Sequence, residues 1–191
     1  MLKIAITPEI SDPRNEVGEI RAILDGGWDR VHLRHPSATR DELLGIIEAL
    51  PSDLHGRIVL HSHFDLTDVF TLGGLHLNHR CPAAPDSYSG QLSRSCHSIT
   101  EIKSDQTYTY VTLSPIFDSI SKRGYSSAFT GDDLAGLSDI DMPVIALGGV
   151  TPERIGELKR YNFSGFGMLG ALPWSAGASE MSRFVKQLKN L

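Results

Sequence analysis

The feature that most constrains this chain is an alternation. Eight short runs with apolar or β-branched content recur along its 191 residues, at 2–7, 30–34, 57–61, 74–78, 93–97, 108–113, 144–147 and 165–169. Short runs of this kind, bounded by turn residues, read as strands buried on both faces. Helical spacing fills the intervals. Val17, Ile20, Ala22, Ile23 and Leu24 precede Gly26-Gly27. Thr39 caps a segment whose Leu43, Leu44, Ile46, Ile47 and Leu50 share a face before Pro51 stops it. Further helices are expected at 66–72, 98–103, 132–137, 151–161 and 179–191, with loops at 81–92 and 114–130. Repeated strand–helix–strand units demand right-handed crossovers and a parallel sheet. Eight of them fit an α/β fold with a single (β/α)8 TIM-barrel domain over residues 1–191. A doubly wound open sheet is the alternative, but no G-x-G-x-x-G follows the first strand.

Charge and composition exclude several classes of function. An apolar content of 40% suffices for a full core, and a net charge of −5 argues against a broad basic face for nucleic acid or anionic lipid. Cys81 and Cys96 form no C-x-x-C pair and suggest no exported disulfide framework. The apolar runs fall short of the ~18 to 20 residues of a membrane span, and the one at the N-terminus is too short for a signal peptide. A cytoplasmic protein without nucleic-acid or membrane partners is expected.

In such a barrel, chemistry sits on the loops after the strands. The seventh run passes into Gly148-Gly149, Thr151, Pro152 and Glu153. Two residues without Cβ, an N-cap threonine and a proline at the first helical position together present free backbone N–H groups to an anion. The eighth run ends in Leu169-Gly170-Ala171, so Gly148, Gly149, Leu169 and Gly170 are the candidate phosphate cup. Around the rest of the ring stand His32, Arg34 and His35; His61, Ser62 and His63; His76, Asn78 and His79; Ser95 and His97; and Ser114. Ser119, Ser121 and Lys122 place two hydroxyls and an ammonium on one loop, a set suited to a phosphate or pyrophosphate. Arg34 follows a buried strand, where its guanidinium needs either an anionic ligand or a carboxylate. His61-x-His63 places two imidazoles on one side of a strand. The eighth strand offers no further metal ligand, so most histidines are read as hydrogen-bonding wall residues and no metal site is assigned.

Several stretches together resemble the thiamine phosphate synthase and thiazole tautomerase superfamily across nearly the whole chain. They are Val31-His-Leu-Arg34, Gly74-Leu-His-Leu77, Arg94-Ser-Cys-His-Ser98, Tyr110-Val-Thr-Leu-Ser-Pro-Ile-Phe117, Ser121-Lys122, Pro143-Val-Ile-Ala-Leu-Gly-Gly149 and 165–172. The resemblance implies a transferase that joins a thiazole phosphate to hydroxymethylpyrimidine diphosphate, giving thiamine phosphate and pyrophosphate. It implies that Gly149 and the Leu169-Gly170 backbone hold the thiazole phosphate. Ser119, Ser121 and Lys122 would hold the pyrophosphate, with Arg34, Ser95, His32 and His61 in the same cavity. It also implies Mg²⁺ as cofactor, although the family's Asn-Asp pair, whose aspartate binds the metal, reads His61-Ser62 here and its second metal aspartate falls near Cys81. The glutamine and lysine that flank the synthase arginine after strand two read His32 and Pro36. Two alternatives stay open: a tautomerase-type isomerase using His61 or His97 as a relocated base, and a silent phosphate-ligand-binding regulatory protein. A homodimer is also compatible with the resemblance.

Overall fold

The computed structural model describes residues 1–9, 13–105, 107–118 and 128–188. Eight parallel strands close in chain order into a barrel: β1 Leu2–Ile6, β2 Arg30–Leu33, β3 Ile58–Leu60, β4 Gly74–Leu77, β5 Leu92–Cys96, β6 Tyr110–Leu113, β7 Val144–Ala146 and β8 Gly165–Met168. The expected (β/α)8 architecture is therefore the one observed. Side chains alternate across each strand, which sorts them into two apolar sets. Ala5, Val31, Leu33, Ile58, Leu60, Leu75, Val111, Leu113, Val144 and Phe166 belong to the main cluster under the helices. Trp28 lies edge-on to Phe166 there, with ring centroids 5.8 Å apart. Ile4, Ile6, Tyr110 and Ile145 form a separate inner cluster with Leu2, Leu147 and Leu169 packed on it.

The helices are α1 Pro13–Asp25, α2 Arg40–Ala49, α3 Ile99–Ser104, α4 Gly131–Ala135, α5 Ile155–Leu158 and α6 Ala178–Gln187. Thr39 caps α2 as expected: its hydroxyl accepts from the Glu42 amide, and the Glu42 carboxylate accepts from the Thr39 amide at 2.7 Å. Ser98 caps α3 in the same position. The start of α6 is tied to the middle of α1 by the Gly177 amide, which donates to the buried Glu19 carboxylate at 2.8 Å.

Three helices are shorter than the spacing suggests. Over 66–72 only a 3₁₀ turn, Phe64–Asp68, forms; Phe64 and Leu66 are buried but Val69 is 59% exposed. Two anchors cannot hold a longer helix, since most helical stability comes from a packed apolar face. The 151–161 segment divides into a 3₁₀ turn, Pro152–Arg154, and α5. Thr151 occupies the N-cap position but makes no side-chain capping bond, and the first turn tightens accordingly. The 132–137 segment begins one residue early, at a Thr130 capping box, and passes into a 3₁₀ turn from Gly136. No helix among the described residues is long and apolar enough to cross a membrane.

Candidate active site

The C-terminal ends of the strands open into a cavity of about 880 Å³. Arg34, His61, Ser95, Gly148, Gly149, Leu169 and Gly170 all line it, so these candidates from five strand ends share one space. Ser119, Ser121 and Lys122 lie outside the described residues. His32 takes a different place: it is fully buried, below His61 rather than on the cavity wall.

The apolar side of the cavity is the glycine cup. Gly148 and Gly149 both have left-handed backbones, φ 88° and 64°, directly after β7. The chain following β6 runs against them, with the Ile116 and Phe117 amides donating to the Leu147 and Gly148 carbonyls. The Gly149 carbonyl accepts from Arg154, whose guanidinium sits over the Phe117 ring at 5.1 Å. The amides of Gly149, Gly170 and Ala171 find no acceptor among the described residues. Three donors at the ends of two adjacent strands make a concave site for an anion.

The opposite side is polar and nearly free of carboxylates. Arg34 makes no ion pair with any described residue, which favours an anionic ligand as its partner. Its backbone is fixed by a 2.8 Å bond from the Arg34 amide to the Thr7 hydroxyl. Arg80 lines the same wall and donates to the Pro36 carbonyl. His35 is held by the buried Glu16 carboxylate at 2.6 Å and is a wall residue. His97 donates through Nδ1 to the Ser114 carbonyl at 3.0 Å, which leaves Nε2 as an acceptor. Replacing Arg34 with Met should weaken pyrophosphate binding about 10- to 100-fold, the loss expected for a hydrogen bond to a charged group. Calorimetric titration with pyrophosphate checks this, and an unchanged affinity would show that the guanidinium faces no anion.

Below the polar wall lies a cluster that the sequence did not reveal as a unit. His32 Nδ1 is 2.9 Å from His61 Nε2, and His32 Nε2 is 2.7 Å from the Tyr110 hydroxyl. His76 Nδ1 and Nε2 reach the Ser93 and Ser95 hydroxyls, each at 2.9 Å. The His61 and His76 rings stack with centroids 4.3 Å apart. Burial, reinforced by His76 and Arg30, holds the His32 imidazole well below its ordinary range. Burial and the neighbouring His76 and His32 do the same for His61. For His76, burial lowers the pKa to about 3. All three rings are therefore neutral near pH 7. His63 does not join them. It follows β3 with a left-handed backbone, and its ring donates to the Ala38 carbonyl.

The donor set does not fit the magnesium expected from the sequence resemblance. Magnesium favours carboxylate, phosphate and water oxygens. Glu9 is the single carboxylate on the cavity lining among the described residues, and Ser62 and Cys81 stand where carboxylates were expected.

With this geometry in place, likeness to known proteins becomes informative. Residues 4–172 match the family described as thiamine monophosphate synthase. The chain belongs to that family. The crystal structure of a thiamine phosphate pyrophosphorylase from Bacteroides thetaiotaomicron is 32% identical and superposes with a TM-score of 0.87, covering all of this chain and 96% of that one. The thiamine-phosphate synthase of Syntrophomonas wolfei is 24% identical over 189 residues, 93% of this chain and 89% of its own length. That of Salinibacter ruber is 23% identical over 175 residues, 85% of this chain and 77% of its own.

Proposed function

We propose that this chain is a transferase of the thiamine-phosphate synthase type. It joins a thiazole phosphate to hydroxymethylpyrimidine diphosphate and releases pyrophosphate. The observation that carries the reading is that Gly149, Gly170 and Ala171, whose amides have no acceptor among the described residues, line one cavity with Arg34. The cup takes the thiazole phosphate, and its amides supply fixed dipoles without a compensating charge. Arg34 takes the diphosphate, with Lys122, Ser119 and Ser121 as further ligands from the loop after β6. In the reaction the pyrimidine methylene–oxygen bond breaks and its electron pair leaves on pyrophosphate. The thiazole nitrogen lone pair then forms the new carbon–nitrogen bond. Cationic groups at the diphosphate lower the barrier by stabilising the charge that develops on the leaving group. Leu147, Leu169 and Ile6 give the aromatic rings an apolar wall.

The test is an assay of purified protein with both substrates, read by thiamine phosphate formation and run with added Mg²⁺ and after chelation. Saturable product formation is expected. Thermal stabilisation by thiazole phosphate without product would retain the cup and overturn the transferase. Proton exchange on a thiazole carboxylate phosphate in the same sample would then point to the isomerase.

A further inference from the structure

The geometry points to a three-imidazole site for a divalent transition-metal cation of the zinc class, formed by His32, His61 and His76 at the cavity floor. One ring nitrogen from each lies within 4.8 Å of the other two. Imidazole is the ligand of choice for zinc, cobalt and nickel, whereas magnesium prefers oxygen. Three histidines with an open fourth position are a recurrent zinc arrangement.

The surroundings supply what such a site needs beyond its ligands. A metal-binding histidine is usually oriented by a partner on its other nitrogen. Here His32 Nε2 meets the Tyr110 hydroxyl and His76 Nδ1 meets the Ser93 hydroxyl, which itself donates to the Leu75 carbonyl. His32 Nδ1 and His76 Nε2 are then the ligand atoms, and the ion takes the place of the 2.9 Å contact that His76 Nε2 now makes with the Ser95 hydroxyl. His32 Nδ1 and His61 Nε2 already face each other at 2.9 Å. Tetrahedral zinc with bonds of about 2.0–2.1 Å needs nitrogens roughly 3.3 Å apart. Closure therefore requires ring rotations that part His32 Nδ1 and His61 Nε2 slightly and bring the three nitrogens, now within 4.8 Å of one another, to that spacing.

Access and polarity fit as well. His61 and His76 line the cavity while His32 closes the site from beneath, so an ion enters from the substrate side. Barrel interiors are usually filled by branched apolar side chains. Here β7 and β1 follow that pattern with Ile145 and Ile4, and Leu169 just past β8 packs on them, but another part is built from His32, His76, Ser93, Tyr110 and Thr112. The Ser62 hydroxyl beside His61 is buried and has no partner among the described residues. The fourth position opens to the cavity, where water or a ligand oxyanion completes the tetrahedron.

The experiment uses the full chain, stripped by a chelator and dialysed, then titrated with Zn²⁺ by calorimetry. One equivalent is expected to bind, and millimolar Mg²⁺ should not displace it. Co²⁺ should give the visible absorption of a tetrahedral centre. His76→Asn should weaken Zn²⁺ binding at least about 100-fold, and Tyr110→Phe, which removes only an orienting bond, about 10- to 100-fold. Circular dichroism confirms folding, and Tyr110→Phe carries the test if His76→Asn does not fold. Cys81→Ser should bind as the wild type does. Absence of stoichiometric Zn²⁺ binding, affinity unchanged in both histidine-site variants, or loss of binding in Cys81→Ser would each overturn the site. None of these readouts depends on turnover.

Discussion

Gly149→Val is expected to weaken thiazole phosphate binding severely and to lower the melting temperature. Two costs combine at this position. The backbone holds φ at 64°, a region where an L-residue is strained by about 1–2 kcal/mol. A Cβ built there would also lie 2.3 Å from the Asp118 carbonyl oxygen and 2.8 Å from the Phe117 carbonyl carbon. Those are backbone atoms, which cannot swing aside as a flexible side chain can. Overpacking of this kind adds roughly 1–3 kcal/mol. Relief would push the turn after β7 away from the chain after β6 and move the Gly149 amide out of the cup. At about 1.4 kcal/mol per factor of ten, a combined cost of about 2–5 kcal/mol should weaken binding between about 30-fold and beyond a thousandfold. Calorimetry with thiazole phosphate and a thermal melt measure the two effects. Gly27→Ala is the control: φ there is 88°, but a Cβ would meet nothing within 4 Å, and the residue is not on the cavity lining. It should lose stability and keep affinity. Unchanged affinity in Gly149→Val would remove the phosphate cup.

The glycine cup was legible in the sequence because its signal is local. Gly148-Gly149 follows a four-residue apolar run, and the backbone conformation those glycines allow is the one observed. The physical reason for Gly149 nonetheless differs from a simple need for ligand access. Its missing Cβ makes room for Asp118 and Phe117 rather than for the ligand. The histidine cluster was harder to foresee because its members are non-local. His32 and Tyr110 are 78 positions apart and meet only through barrel closure and register. A period-two reading of inward positions would have aligned His32, His76, Ser93 and Tyr110 on the inner face. Pairing His61 with His63 failed because β3 ends at Leu60, so alternation no longer applies by His63. Arg80 was missed because it lies three residues past the end of β4, where the chain turns back through the backbone hydrogen bonds between Asn78 and Cys81.

The barrel seam supplies the largest expected loss of stability. Gly165 begins β8 and pairs with Leu2 of β1 and Ile145 of β7, so it stands where the last strand closes on the first. A Cβ there would lie 2.4 Å from the Leu2 carbonyl oxygen and 2.8 Å from both Leu2 Cβ and Ile145 Cδ1. The site is buried and enclosed by two ladders, so relief has to come from separating strands. Gly165→Ala should therefore cost at least about 2 kcal/mol, with Gly165→Val worse, against a total stability of roughly 5–15 kcal/mol. Gly45→Ala makes the opposite substitution effect. Gly45 is exposed within α2, and a Cβ would meet nothing within 4 Å. Alanine there should stabilise by about 1 kcal/mol, the difference in helix propensity. Urea unfolding of the two variants is the measurement. Midpoints moving in opposite directions are expected. If Gly165→Ala unfolded at or above the wild-type midpoint, steric closure of the seam would not be what requires glycine at that position.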